Sequence, residues 1–264
     1  MKKIVYDGII VGSFVLLFRN IGKIIQKLYL PLILFYGAAF YLKDKLNSLN
    51  PNTFQNFTLI ESVGLAILGI LLIISGINLC ISMIHLTFTK KVEPVKFFGL
   101  GFGGLQVKIL ISSVILMAII AAPIALDSLI HLLKLGISGF DIKLSGSVML
   151  LSILTLYLSI RLFFLVPAAV HTNTLGLSES WSTTKGNCAI IFFINIFLGL
   201  IIWGGTFIID LPNIIDKFKV PYTAPESSET SYLRVFVDTT YYLTMSFVAT
   251  ITASTLYKRI KGIK

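Results

Sequence analysis

The sequence predicts an all-α polytopic transmembrane helical bundle, six spans with amphipathic interfacial helices, forming one integral membrane domain over residues 1–264. Three observations carry that reading. The chain is 56% hydrophobic and 13% charged with a mean hydropathy of +0.90, whereas about a quarter of the residues in a soluble domain are charged. So few charges cannot cover a water-exposed surface. Six apolar stretches approach or exceed the roughly 20 residues that cross a bilayer, and the basic residues gather at alternate ends of them.

The first element is interfacial. Lys2 and Lys3 precede an apolar run in the manner of a signal peptide, but no small-residue cleavage site follows it. Arg19, Lys23 and Lys27 follow instead, while Ile10, Phe14, Leu17, Ile21, Ile24 and Leu28 recur at helical spacing. This pattern predicts an amphipathic helix over about 8–27 lying on the membrane surface.

Spans follow at about 28–42, 62–86, 108–130, 144–169, 188–209 and 233–256. The first is the shortest and holds Pro31, which is tolerated in an opening helical turn. The connections between the spans are short, so any function lies in the bundle or on its rims. The last connection carries Pro212, Pro221, Pro225 and the polar run 226–231, a composition of irregular loops.

Orientation follows from Lys and Arg. With the N-terminus inside, fifteen of them fall on the inner side and seven on the outer, and nine of the twelve acidic residues fall outside. Cytoplasmic loops hold the excess of Lys and Arg, so the expectation is a multi-pass protein of the cell inner membrane with both termini in the cytoplasm. The net charge of +10 is thereby distributed along membrane edges instead of forming a basic arm, and no nucleic acid partner is expected.

Two further stretches look interfacial. Residues 176–187 contain Leu177-Ser-Glu-Ser-Trp-Ser-Thr-Thr-Lys-Gly-Asn187 and echo 11–20, with Ser13 matching Ser180, Phe14 matching Trp181 and Asn20 matching Asn187. Residues 92–107 hold Phe97, Phe98, Phe102 and Lys96. Three units result, each an interfacial helix followed by two spans. Either a true repeat or a shared need for aromatic and basic anchors at the interface accounts for them.

The run Arg161-Leu-Phe-Phe-Leu-Val-Pro167, then Leu177-Ser-Glu-Ser-Trp181, Thr184-Lys-Gly-Asn187 and the closing Leu256-Tyr-Lys-Arg259, resembles a pattern in prokaryotic multi-spanning families. These include the membrane domain of glycerophosphoryl diester phosphodiesterases and related uncharacterised proteins. The resemblance is clearest over 160–187 and implies a six-span helical fold. It implies no activity, because the phosphodiesterase chemistry of that family belongs to a separate soluble barrel that these 264 residues do not contain.

Among single residues Arg161 is the most informative. It lies about nine residues inside the fourth span, roughly 13 Å from the inner surface at 1.5 Å per residue, and an ionised Arg there costs at least about 2.5 kcal/mol. Snorkelling, bonding to backbone near Pro167, or contact with a lipid phosphate or other ligand would compensate, and Asp127 or Asp238 could supply a carboxylate. Lys23, Lys27, Lys90, Lys91, Trp181 and Lys185 are the expected lipid-interface residues. Arg234 and Asp238 stand four apart and would pair on one helical face.

Other motifs are structurally bland. Cys80 and Cys188 read as buried free thiols. His85, His131 and His171 share no metal-ligand spacing, so no metal or cofactor is expected. Gly99-Leu-Gly-Phe-Gly-Gly104 fits G-x-G-x-x-G without the strand and acidic residue of a dinucleotide site. Asn56-Phe-Thr58 is a glycosylation acceptor only in a eukaryotic secretory host. With no catalytic grouping, the sequence points to a non-enzymatic membrane protein whose basic cytoplasmic rim engages anionic lipid headgroups or a partner protein. The alternative is a transporter or channel for a small or lipid-like solute using Arg161.

Overall fold

The computed structural model describes residues 8–48, 59–92, 103–134, 153–219 and 232–263, with side chains omitted at 42–48, 59–62, 120, 122–134 and 209–219. The described residues are helical almost throughout, with no strand among them. The helices are α1 (Ile9–Ser48), α2 (Leu59–Thr89), α3 (Gly104–Lys134), α4 (153–161), α5 (Leu165–Thr172), α6 (Leu177–Thr184), α7 (Cys188–Lys219) and α8 (Tyr232–Lys261). Four stretches among the described residues are long and apolar enough to cross a membrane: Ile9–Tyr41, Val63–Thr89, Ile153–Thr172 and Cys188–Ile208. Helix α3 contributes a shorter apolar run, Gly104–Ile119. The stretch holding Phe97, Phe98 and Phe102, the opening of the span expected over 144–169, Asn56, and the side chains of Asp127, His131 and Asp210 lie outside the described residues.

The chain divides into two compact units, Met1–Phe102 with Ile196–Leu256, and Gly103–Asn195 with Tyr257–Lys264. In the first, α1 is helical through the expected boundary between its interfacial and spanning parts but bends there. Leu28 leaves helical geometry (φ −120°, ψ 23°) because Pro31 offers no N–H to the Lys27 carbonyl and its ring crowds that oxygen. The N-terminal part buries Ile9, Ser13, Leu17, Ile24 and Leu28 at helical spacing. Of the expected apolar stripe, Ile21 instead faces outward, with Val11, Val15, Phe18, Ile25 and Tyr29. The segment is apolar on two faces.

Helices α2 and α8 pack antiparallel to α1. The Lys27 ammonium donates to the Val92 carbonyl at 2.7 Å, and Phe35 meets Gly76, where an added Cβ would touch its ring at 3.5 Å. From α8, Thr252 donates to the buried Ser13 hydroxyl at 3.0 Å, the Tyr36 hydroxyl donates to Thr240 at 2.7 Å, and Tyr36 stacks on Phe236. Helix α7 approaches α8 through Gly205, whose missing side chain leaves room for the Tyr241 ring. The Tyr241 hydroxyl sits between the Ile201 and Ile202 carbonyls at 3.0 and 2.8 Å.

The second unit is built on α3. Its start is capped by Gln106, whose side-chain oxygen accepts from the Gly103 N–H at 3.1 Å, as in the return arm of a capping box. The tail of the glycine run thus has a structural task. Helix α5 lies against α3 and α6 against α5. The α5–α6 loop is tied to α3 by Lys108, which donates to the Asn173 carbonyl at 2.6 Å, and by Ser112, which donates to the Leu175 carbonyl at 2.8 Å.

Candidate functional site

The site begins with a break in a helix. Within the span expected over 144–169, the chain leaves α-helical geometry over 162–164. Pro167 cannot donate to the Phe163 carbonyl. Upstream, the Leu165 N–H turns to the Leu162 carbonyl at 2.9 Å, a three-residue bond that deprives the Arg161 carbonyl of its helical donor.

Helix α6 supplies replacements. Ser180 donates to the Arg161 carbonyl at 2.9 Å, and Thr184 reaches it at 3.3 Å with a proton it shares with the Trp181 carbonyl at 3.0 Å, both hydroxyl residues being fully buried. Four residues apart, they share one helical face. Leaving such a carbonyl unpaired would cost about 1–3 kcal/mol, so the break and α6 require each other.

The turn into α6 fixes its approach. Asn173 and Gly176 both have positive φ, 53° and 72°. At Gly176 a Cβ would run into the Leu165 carbonyl and the Ala169 nitrogen, so only glycine fits. The Gly176 N–H donates to the Thr174 hydroxyl at 3.2 Å, which in turn bonds Thr172 at 2.7 Å.

This docking carries Trp181 over Arg161. The guanidinium carbon lies 4.2 Å from the indole centroid and 5.9 Å from that of Tyr157, one turn earlier on α4. Tyr157 meets Trp181 edge-on at 6.2 Å. Arg161 is only 7% exposed. Its Nη1 donates weakly to Cys188 Sγ at 3.8 Å, while its Nε has no hydrogen-bond partner among the described residues. The cation is thus held by ring faces, without a carboxylate among the described residues.

The acidic residue of α6 is committed elsewhere. Glu179 Oε1 pairs with Lys261 Nζ at 2.5 Å and accepts from the Tyr257 hydroxyl at 3.3 Å. Lys261's hydrogen bond is the main cause that holds the Glu179 carboxyl below the usual range; burial opposes it, and the Lys261 charge and the Tyr257 bond add to the lowering. Burial and the neighbouring Glu179 charge push the Tyr257 phenol up, keeping it a donor. The Tyr257 ring meets Phe164 and His171 edge-on, each at 5.8 Å. The Leu177–Trp181 motif, the 161–167 motif and the closing Tyr257-Lys-Arg are therefore one assembly.

Of the residues singled out in the sequence, Arg161 and Trp181 are in contact, and Lys185 is exposed in the turn after α6. In the other unit, Lys23, Lys27, Lys90 and Lys91 are all exposed. Lys27's bond to Val92 ties α1 to the chain just past the end of α2. Asp238 pairs with Arg234 at 3.7 Å, as their spacing predicts. Among the described residues, no three of His, Cys, Asp and Glu gather at metal-binding distance.

Ser180, Thr184, Tyr157, Glu179 and Cys188 were not read as site residues. The i, i+4 hydroxyl pair was a readable signal for the first two. The match of Asn20 with Asn187 has a local counterpart, since each side-chain amide donates to the carbonyl four residues back, Leu16 at 2.9 Å and Thr183 at 3.3 Å. No protein-family model, curated protein or solved structure matches the chain.

Proposed function

We propose that this is a non-enzymatic, multi-pass protein of the inner membrane whose basic cytoplasmic rim engages anionic lipid headgroups. The observation that carries the reading is the Lys27–Val92 bond. It sets exposed Lys23 and Lys27 beside exposed Lys90 and Lys91, on a segment whose outward stripe of Val11, Val15, Phe18 and Ile25 is apolar. Apolar residues entering the acyl boundary with lysines level with the phosphates is the arrangement of an interfacial anchor. Each base near an anionic surface contributes about 1 kcal/mol.

In this proposal α3 and α8 complete a set of six spans, which returns both termini to the cytoplasmic side. Helix α8 is rich in threonine, and its hydroxyls bond back four residues, Thr240 to Phe236 and Thr250 to Ser246 at 2.7 and 2.8 Å. Such bonds satisfy the hydroxyls within the helix and ease transfer into lipid. The resemblance to the phosphodiesterase membrane domains agrees with this layout. Replacing Lys23, Lys27, Lys90 and Lys91 by Gln should lower the anionic phospholipid that co-purifies in mild detergent by several-fold. Unchanged retention would sink the reading.

The broken Ile153–Thr172 stretch favours a second reading. Transporters build substrate sites at interrupted helices, and Arg161 stands at this interruption. Loss of solute flux in liposomes on Arg161→Leu, with helicity retained, would support transport. Equal flux would remove Arg161 from it.

A further inference from the structure

We propose that the Arg161 guanidinium and the first turn of α7 form a binding site for an anionic phosphate group. The site rests on the lipid-engaging reading above and names the chemistry it would recognise. Arginine stays ionised in proteins, and burying its charge without a counter-ion costs several kcal/mol. Arg161 is 93% buried, and its Nε–H lacks an acceptor among the described residues. An anion is the missing partner.

The guanidinium is directed to a place suited to one. Nη1 lies 3.8 Å from Sγ of Cys188, the first residue of the 32-residue α7. A helix start presents backbone amides without intrahelical partners together with the positive end of the helix dipole. Ile191's amide is taken by the Asn187 carbonyl at 3.1 Å, the opening bond of the helix, so the turn before it is the one without intrahelical acceptors. The Cys188 thiol donates to the Thr184 carbonyl at 3.3 Å and is a weak acceptor, a poor substitute for an anion.

The aromatic contacts fit the same role. The guanidinium carbon lies over the Trp181 ring, 4.2 Å from its centroid, while the N–H fork that matches phosphate oxygens stays uncommitted apart from the sulfur contact. Exposed Lys185, in the turn leading into α7, adds positive charge. Glu179 is held by Lys261 and does not compete.

The test uses the full chain in phosphatidylcholine nanodiscs with Trp203→Phe, so that emission reports Trp181 alone. Phosphatidylglycerol is titrated in one arm and inorganic phosphate in the other. The site predicts a saturable change in emission and at least a tenfold weaker half-saturation for Arg161→Lys, which keeps the charge but loses the fork. Cys188→Asp, which supplies a carboxylate at the site, should abolish the response and raise the thermal midpoint. It decides the matter if Arg161→Lys fails to fold.

A response to phosphatidylglycerol alone assigns the site to a lipid headgroup, and a response to both ligands assigns it to phosphate in general. No response in either arm, or an unaltered one in Cys188→Asp, overturns the site. A silent Trp181 with anionic lipid still retained through Lys23, Lys27, Lys90 and Lys91 overturns the site and leaves the rim reading standing. Loss of both overturns both.

Discussion

At the scale of single residues, the buried Arg161 cation rests on an aromatic platform. Trp181 lies against the Arg161 guanidinium at 4.2 Å, and a desolvated cation–π contact is worth about 2 kcal/mol. Trp181→Leu should therefore lower the thermal midpoint in detergent by an amount equivalent to about 1–2 kcal/mol, with Trp181→Phe losing less. Equal losses in the two variants would show that bulk, not the ring face, supports the arginine.

Glu179 gives a pH dependence of known sign. Its carboxyl is held below the ordinary range by Lys261's hydrogen bond first and by charge and Tyr257 after it. A lowered folded value means that its contribution is full above the ordinary glutamate pKa of about 4.3 and is lost as the pH falls through the folded value. Amide exchange over 257–263 should accelerate on acidification from pH 5 to pH 3, and Glu179→Gln should remove that step. Exchange independent of pH in this window, after correction for intrinsic rates, would show that the pair does not hold the segment.

At the scale of elements, the break at 162–164 and helix α6 act as one device. Ser180 donates to the Arg161 carbonyl, and the Thr184 hydroxyl, shared with the Trp181 carbonyl, stands within reach to take over when Ser180 is lost. Ser180→Ala and Thr184→Ala should each cost little, and the double variant should exceed their sum by about 1 kcal/mol. Strict additivity in thermal or denaturant melts would contradict the shared acceptor. Gly176→Ala should cost about 1–3 kcal/mol through its positive φ alone, and more through the collision with Leu165 and Ala169. A stability loss below the cost of strain at that φ would show that the α5–α6 turn relaxes.

The limits of the sequence are visible in these same elements. Helical class was legible because long apolar runs fit no other structure, and the bend at Leu28 falls between the segment expected over 8–27 and the span expected from 28. Which face of 9–27 turns inward was not legible, since Ile21 and Ile24 are alike in hydropathy and only packing separates the exposed from the buried one. Arg161 stood out because charge is rare in apolar runs. Its Trp181 platform was out of reach, as it depends on a three-residue bond at Leu165 that frees a carbonyl for α6.

At the scale of the whole molecule, charge placement and apolar length carry the account. In the proposed function the exposed lysines of the rim act through water and headgroups, where interactions are screened over about 8 Å at physiological salt. Retention of anionic lipid should therefore fall as salt is raised, whereas the buried Arg161 contact should be the less affected. The most direct measurement is labelling of single cysteines, in a background with Cys80→Ser and Cys188→Ser, by a thiol reagent that does not cross membranes. The account predicts that Lys91→Cys, Lys185→Cys and Arg259→Cys react only after the cells are permeabilised, while Asn52→Cys and Ser138→Cys react in intact cells. Labelling of Lys91→Cys or Arg259→Cys in intact cells would contradict a basic rim on the cytoplasmic side of a six-span protein.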